Sequence, residues 1–256
     1  MKNPIDIQVI YDSTILDIND TKKKELEESK SKDQTYYQAS SAGRCSRMIY
    51  YETRSKINPT DEVDKRVRRL FRLDDLIYSD IQNAFKNSEK SDSYYNIYNI
   101  YINNIYIKKE IILKKIRVSG FPRLIVELGD GRIYLYDVKS SCNFAYRKNF
   151  STKRERKEPS LHHELEAATY GLAVEKEFGR LDGMYIIYYN KDNSMLRYKA
   201  VSEDRLLTAL GFWERINNEH ASGLPTLQDN ISPIARWECN YCAFKTRCEE
   251  DRSKGL

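Results

Sequence analysis

The spacing of apolar positions divides the chain into helical and extended segments. Between Thr60 and Phe85, apolar residues recur every three or four positions, which predicts an amphipathic helix of about 25 residues. Thr60, followed by two acidic residues, is a typical N-cap for this helix. Three other helices are predicted over 40–54, 160–178 and 203–220. Cys45 is expected on the first turns of the first of these, and Gly179 is expected to end the second.

Extended segments alternate with these helices. β-Branched runs over 111–118, 124–128 and 133–138 are separated by turns that contain glycine, which predicts a three-stranded antiparallel meander. A hairpin is predicted over 184–200. Segment 91–104, rich in Tyr, Ile and Asn, is either a strand or a local insertion. The order of helices and strands predicts an α/β (α+β) fold with a mixed central sheet flanked by helices.

The first 39 residues differ from the rest of the chain because charged and Ser/Asn residues dominate them. They are interpreted as a peripheral arm or an exposed helix, and 40–256 as a single domain. No apolar run approaches the roughly 20 residues of a membrane helix, and Asp6 and Asp12 interrupt the would-be apolar core of a signal peptide. We therefore expect a soluble, cytoplasmic protein with no membrane partner.

The charge of the chain is informative only through its distribution. The net charge is +5, with 43 Lys and Arg against 38 Asp and Glu, which does not by itself indicate a nucleic-acid partner. Basic residues nevertheless cluster in a predicted loop over 147–157, close to Phe144, Tyr146 and Phe150. Cations beside aromatic rings suit the phosphates and bases of a single strand, whereas a solvated loop is the alternative. The candidate DNA-binding residues are Arg147, Lys148, Lys153 and Arg154.

The five cysteines are too few and too widely spread for a disulfide scaffold, but their spacing suits a metal centre. Cys239, Cys242 and Cys248 lie within ten residues, so that one centre can bind all three with little strain. Cys45 is the natural fourth ligand, and Cys142, which follows a predicted strand, is left over. Zinc and a four-iron cluster both suit four thiolates, and the spacing does not separate them.

A candidate active site lies at the end of the last meander strand. Asp137 and Lys139 are two positions apart and therefore point to the same face of that strand. The carboxylate can bind a divalent metal, and the ammonium can stabilise a phosphorane-like transition state. Such a pair is also common on solvated strand edges. The next predicted helix carries Glu166 and Tyr170 one turn apart.

Together these features resemble the PD-(D/E)XK nucleases of the RecB-like, iron–sulfur type, closest to the CRISPR-associated Cas-four family and similar in cysteine plan to the nuclease domain of AddB. The resemblance rests on Gly120-Phe-Pro-Arg123, Asp137-x-Lys139, Glu166-x-x-x-Tyr170 and the cysteines. It implies a restriction-endonuclease-like core, DNA as substrate and CRISPR integrase subunits as partners. It also implies a lobe, made from the N-terminal helix and the C-terminus, in which a 4Fe–4S cluster is bound by Cys45, Cys239, Cys242 and Cys248.

Three positions depart from the family pattern. Arg123 stands where the family has a metal-binding Asp, Tyr78 where a His completes the metal shell, and Glu166 where the family has Gln. A guanidinium about 4 Å from a divalent ion would repel it by roughly 8 kcal/mol at an effective dielectric near 20. We therefore expect Arg123 to pair with Asp137 in the place of the metal. Glu166 is the candidate for a migrated carboxylate that restores a site with Asp137.

The sequence leaves three functions open. The expected one is a Cas-four-like protein that binds DNA ends or single strands, with catalysis weak or lost. The alternative is an active exonuclease for prespacer or end processing, which would need magnesium or manganese and the migrated carboxylate. The third is a zinc-bound structural protein. Richness in Tyr, Ile, Lys and Asn suggests an AT-rich archaeal or viral source, and the context (CRISPR, repair or viral) and any homo-oligomer stay open.

Overall fold

The computed structural model of the protein describes residues 11–18, 21, 36–53, 57–62, 64–88, 102–107, 109–150, 160–226 and 238–255. Its strands are β1 (Tyr37–Gln38), β2 (Ile102–Tyr106), β3 (Ile111–Leu113), β4 (Val118–Gly120), β5 (Leu124–Leu128), β6 (Ile133–Ser141), β7 (Gly183–Asn190) and β8 (Leu196–Val201). Its helices are α1 (Ser46–Thr53), α2 (Lys65–Ser88), α3 (Asn143–Phe150), α4 (Leu161–Phe178), α5 (Asp204–Ala221) and α6 (Lys245–Ser253). Residues 11–18 form a further helical segment.

The main sheet has five strands in the order β2-β5-β6-β7-β8. The β6–β7 pair is parallel and the other three pairs are antiparallel, so the sheet is mixed. The last two strands are the predicted hairpin. Strand β2, at one edge, lies partly in the segment for which the sequence left two interpretations, and residues 91–101 of that segment lie outside the described residues. The predicted α/β fold with a mixed sheet flanked by helices is confirmed.

The predicted three-stranded meander is wrong in its first strand. Segment 111–118 is interrupted by a 3-10 turn over Lys114–Ile116, and Arg117 adopts a left-handed conformation with φ of 57°. The chain therefore folds back on itself, and β3 pairs with β4 rather than with β5. These two strands form a separate small sheet with β1, in the order β1-β4-β3. Only β5 and β6 of the meander pair as predicted.

Helices cover both faces of the main sheet. On one face, α4 and α5 bury an apolar core that includes Leu135, Ile186 and Trp213, all fully buried. On the other face, Ile81 of α2 packs against Val138 and Ile187. Because side chains alternate along β6, the face that carries Leu135 also carries Asp137 and Lys139 beneath α4. Among the helices that the structure describes, none is both long and apolar enough to cross a membrane.

The long helix α2 is confirmed, but its cap is not the predicted one. The helix begins at Lys65, and Asp64 caps it by accepting a hydrogen bond from the backbone N–H of Arg66 at 2.7 Å. Asp61 instead accepts hydrogen bonds from the backbone N–H of Thr246, at 2.9 Å, and from its hydroxyl, at 2.7 Å. Thr246 lies in the first turn of α6, so Asp61 caps a helix that is distant in sequence.

Helix α1 begins later than predicted, because Gly43 adopts a left-handed conformation with φ of 76°. Ala39–Ser41 form a 3-10 turn, and the helix starts at Ser46. Cys45 is therefore the residue before the helix, where its carbonyl accepts the hydrogen bond of the Ile49 N–H at 3.1 Å.

The end of the predicted N-terminal arm belongs to the fold. Tyr37 of β1 is almost fully buried, and β1 pairs in parallel with β4. Farther upstream, Asp12 forms an ion pair with Arg69 of α2 at 3.2 Å, and Ile15 is buried. Residues 1–10, 19–20 and 22–35 of the arm lie outside the described residues.

Candidate active site and cysteine cavity

Two buried carboxylates share one ammonium group at the end of β6. The Asp137 side chain is fully buried, and its Oδ2 lies 2.8 Å from Nζ of Lys139. The same Nζ donates a hydrogen bond to Oε2 of Glu166 at 2.6 Å. Glu166 reaches this point from α4, which packs across the face of the sheet that carries the other two residues. The structure therefore brings Glu166 to the pair of Asp137 and Lys139 that the sequence placed on one face of the strand.

The charges of this group are set by burial and by their proximity. Burial opposes the charged form of Lys139, but Asp137 and Glu166 outweigh this effect and raise the pKa of the lysine above its usual value. Burial also raises the pKa of Glu166; the positive charge of Lys139 opposes that rise, and the negative charge of Asp137 adds to it. The ammonium is consequently charged at neutral pH, and both carboxylates depend on it for charge compensation.

One carboxylate oxygen of Asp137 lacks a hydrogen-bond donor of good geometry among the described residues. Its Oδ1 accepts a hydrogen bond from the backbone N–H of Val138 at 2.9 Å. Its Oδ2 is buried and has no hydrogen-bond donor of good geometry among the described residues, so its contact with Lys139 is an ion pair only. A buried carboxylate oxygen of this kind favours a nearby cation, and in this fold the cation is the lysine.

Arg123 lies beside this group but does not form the predicted ion pair with Asp137. The register of β5 and β6 pairs Leu124 with Tyr136, which places Arg123 opposite Asp137 in the hairpin. Its guanidinium carbon, however, lies over the ring of Tyr78, 4.3 Å from the ring centroid. Within the described ranges Arg123 forms no ion pair. Lys139 already compensates Asp137, and the ring of Tyr78 offers the guanidinium a cation–π contact instead.

Two tyrosine side chains, Tyr78 and Tyr170, lie close to these charged groups. Burial raises the pKa of Tyr78 to about 12. Tyr170 is almost fully buried, and burial, assisted by Glu166 and Asp137, raises its pKa as well. A methyl group added at Gly120 would lie 3.0 Å from Cβ of Ala39 and 3.1 Å from the Tyr170 ring, so the ring packs closely against the backbone of this glycine. Both hydroxyls stay protonated at neutral pH.

Sequence reasoning did not find the role of Asp74. This residue, on α2, accepts hydrogen bonds from the Ser140 hydroxyl and from Nζ of Lys191, the latter at 3.0 Å. It therefore ties α2 to the end of β6 and to the β7–β8 turn. The contact joins residues that are 66 and 117 positions apart, and no local pattern in the sequence could have indicated it.

The predicted basic loop begins as a helix. Arg147 and Lys148 lie on α3, and the charged side chain of Lys148 lies 4.4 Å from the centroid of the Phe144 ring, which is 70% exposed. An exposed ring beside a cation remains suited to a base and a phosphate. The other two candidates, Lys153 and Arg154, lie outside the described residues.

Four cysteines line one cavity of about 270 Å³ between α1 and the C-terminal residues. They are Cys45, Cys239, Cys242 and Cys248. Cys142 is exposed and is not among the residues that line this cavity. Burial raises the pKa of Cys242 to about 11 and raises the pKa values of Cys45 and Cys248. Among the described residues, no three His, Cys, Asp or Glu side chains are close enough together to hold a single metal ion.

Buried polar contacts surround the cysteine cavity. Arg47, which is 1% exposed, lines the cavity and donates a hydrogen bond to the Tyr51 hydroxyl at 3.3 Å. That hydroxyl donates in turn to Asp251 of α6 at 2.8 Å. Arg44 forms an ion pair with Glu238 at 3.2 Å. These contacts join residues in and beside α1 to the C-terminal residues without the help of a metal.

Two neutral histidines beside the site predict how the free energy of unfolding depends on pH. Burial, with smaller effects of Lys139 and Arg44, lowers the pKa of His162 to about 4, and burial lowers the pKa of His163 well below its usual value. Between pH 4 and the ordinary value near 6.5, the unfolded chain binds more protons than the fold, so stability falls as pH falls. We expect His162→Gln to reduce the loss of unfolding free energy between pH 7 and pH 5, measured by urea denaturation. An undiminished loss in this variant would contradict the assignment.

Comparisons with known proteins identify the family to which this fold belongs. The family model of the PD-(D/E)XK nuclease superfamily matches residues 15–249. The chain is similar to the crystal structure of SSO0001, with a TM-score of 0.51 and 18% identity over 92% of this chain and 96% of that one. It is also similar to an alkaline exonuclease (LHK-Exo) from Laribacter hongkongensis, with a TM-score of 0.37 and 10% identity over 56% of this chain and 68% of that one. No curated protein matches the chain significantly.

Proposed function

The chain belongs to the PD-(D/E)XK nuclease superfamily, and we propose that it is a Cas-four-like member that binds DNA ends or single strands with metal-dependent cleavage weak or lost. The observation that carries this proposal is the shared ammonium: Lys139 compensates both Asp137 and Glu166. Because a cation of the protein already compensates the charge of both carboxylates, they attract a divalent ion less strongly.

The surroundings of the carboxylates also oppose a divalent ion. Magnesium or manganese needs several oxygen ligands, and the described part of the chain supplies no third acidic or histidine ligand at this point. Arg123 adds a second positive charge, fixed over Tyr78. Arg123 is close enough to Glu166 for its charge to lower the pKa of that carboxyl, and the same charge would repel a divalent ion bound there. The residues present therefore fit a divalent metal poorly.

One observation favours the alternative, an active exonuclease that uses a migrated carboxylate. Glu166 and Asp137 converge on one cation, and Oδ2 of Asp137 lacks a hydrogen-bond donor of good geometry within the described residues. If Lys139 moved aside, the two carboxylates would face one point. Cleavage that depends on both carboxylates would distinguish this function from the degenerate one.

We also propose that the four cysteines bind a 4Fe–4S cluster rather than zinc. Zinc–sulfur bonds of about 2.3 Å in a tetrahedron bring the four sulfurs within about 3.8 Å of one another. Within the described residues, no three such side chains are that close around one ion, although all four cysteines line one cavity. A four-iron cluster binds each thiolate through a different iron and suits this wider arrangement. When bound, it would supply a crosslink between Cys45 and the C-terminal cysteines.

The resemblance to the Cas-four family extends the proposal to a biological setting. In that setting the protein would handle DNA ends beside CRISPR integrase subunits, or as an assembly of several copies. The exposed Phe144 ring with Lys148 is the feature of the chain that supports contact with unpaired bases.

The experiment that tests the proposed function is an incubation of anaerobically purified protein with labelled single-stranded DNA and manganese. We expect the protein to retard the strand and to leave its length unchanged. Shortening of the strand by the wild type that disappears in both Asp137→Ala and Glu166→Gln would establish the alternative. Absence of any retardation would contradict the binding function itself.

A further inference from the structure

Two cations on β8 lie on the same face of the sheet as the candidate active site. The strand register aligns Lys139 with Tyr188 and Tyr188 with Arg197. It likewise aligns Asp137 with Ile186 and Ile186 with Lys199. Residues aligned across adjacent strands point to the same face, and strands lie about 4.8 Å apart, so two strands separate these side chains by about 10 Å.

The two cations converge on one aromatic ring. The guanidinium carbon of Arg197 lies 5.6 Å from the centroid of Phe150, and Nζ of Lys199 lies 5.4 Å from it. Arg197 is exposed and forms no ion pair with any residue that the structure describes. Two positive charges beside one ring raise the local electrostatic potential, which favours the binding of an anion such as a phosphate.

A buried hydroxyl lies beside the same ring. Tyr146 is 3% exposed, its ring lies 4.8 Å from Phe150, and its hydroxyl has no hydrogen-bond partner in the described ranges. Buried hydroxyls are nearly always paired, because leaving such a group without a partner is unfavourable. Arg197 is close enough to lower the pKa of Tyr146, against the rise caused by burial.

We propose that Arg197, Lys199 and Tyr146 form a binding site for a backbone phosphate of the nucleic-acid strand that reaches Asp137. Arginine binds a phosphate through two parallel hydrogen bonds, and lysine and a tyrosine hydroxyl each add one. The site is about two strands away from Asp137 and holds a neighbouring phosphate, not the one at the carboxylates. Neither β8 residue was a candidate from the sequence, because only the β7–β8 register brings them to this face. The inference rests on the proposed binding of DNA.

The site also continues a surface already suited to nucleic acid. Phe150 and Tyr146 belong to α3, the helix that carries the exposed Phe144 ring and Lys148. A strand that stacks a base on Phe144 would pass its backbone beside α3 and β8 on the way to the end of β6. The cations of β8 would then fix the path of the backbone, and the ring of Phe144 would contact a base.

The test is the affinity of wild type, Arg197→Gln and Lys199→Gln for a labelled single-stranded oligonucleotide over a series of salt concentrations, measured by fluorescence anisotropy. Each variant is expected to bind about tenfold more weakly, as for the removal of one charged hydrogen bond. The slope of log K against log salt is expected to become shallower by about 0.7 for each phosphate that the variant no longer neutralises. Lys176→Gln, near the opposite end of α4 from Glu166, removes the same charge and should change neither quantity.

A second measurement separates direct phosphate binding from a general decrease in charge or folding. Neutral methylphosphonate linkages are introduced one at a time along the oligonucleotide. At one position the linkage should weaken binding by the wild type and have no further effect in Arg197→Gln. If the wild type binds the strand but the β8 variants keep its affinity and salt slope, this inference is wrong while the proposed function stands. If the wild type does not bind, the proposed function fails first.

Discussion

Replacement of Cys242 by serine is expected to give a protein without iron and with a much lower free energy of unfolding. Cys242 lines the cavity shared by four cysteines, and a cluster bound there crosslinks Cys45 to the C-terminal residues. Without that crosslink, a loop of roughly 200 residues is no longer closed in the unfolded chain. The gain in entropy of the unfolded chain lowers the free energy of unfolding by on the order of 5 kcal/mol. Iron and acid-labile sulfide content, visible absorbance and urea denaturation of the anaerobic protein measure the effect.

The chain supplies a matched control for this substitution. Cys142 is exposed and is not among the cavity-lining residues, so Cys142→Ser should keep the iron, the colour and the unfolding midpoint of the wild type. A colourless wild-type protein with one zinc ion per chain would contradict the cluster. Retention of the full iron content by Cys242→Ser would contradict the assignment of this ligand.

The double substitution Arg123→Asp with Tyr78→His is expected to create metal-dependent cleavage. It replaces the guanidinium opposite Asp137 by a carboxylate and the neighbouring phenol by an imidazole, both of which are metal ligands. Metal catalysis contributes several kcal/mol to transition-state stabilisation, so the rate should rise at least about a thousandfold over the wild type. Release of nucleotides from labelled single-stranded DNA with manganese, at pH 7 to 8, measures the gain.

The control for this gain is Arg123→Gln, which removes the repelling charge without adding a ligand. It should stay inactive, or nearly so, because the site then still lacks a third anionic group. A double variant that folds, shown by an unchanged thermal midpoint, and yet neither binds manganese nor cleaves would contradict the idea that these two positions disabled the site.

The parts of the fold that depend on local periodicity could be predicted from the sequence. The three- and four-residue spacing from Ile77 to Phe85 predicts the apolar face that α2 packs against the sheet. Gly179, with φ of 73°, ends α4 as expected. The two-residue spacing of Asp137 and Lys139 placed both side chains on one face, because alternation in a strand needs no tertiary information.

The remaining features depend on contacts that are distant in sequence or on single backbone angles. The separate small sheet follows from the left-handed conformation of Arg117, which a β-branched run does not indicate. Thr60 was predicted to cap α2, but Asp64 caps that helix, and Asp61 caps α6, almost two hundred residues away in sequence. Arg123 contacts the ring of Tyr78 rather than Asp137 because Lys139 already compensates that carboxylate. The last two outcomes were decided by competition between partners in the folded state.

We propose that cations of the protein occupy the place of the metal at Asp137 and Glu166. This claim is tested most directly by titration of manganese into the wild-type protein, with the free ion counted by electron paramagnetic resonance. We predict no tight site in the wild type and one new site in the Arg123→Asp, Tyr78→His variant. One tight manganese site in the wild type that is lost in Asp137→Ala would contradict the claim.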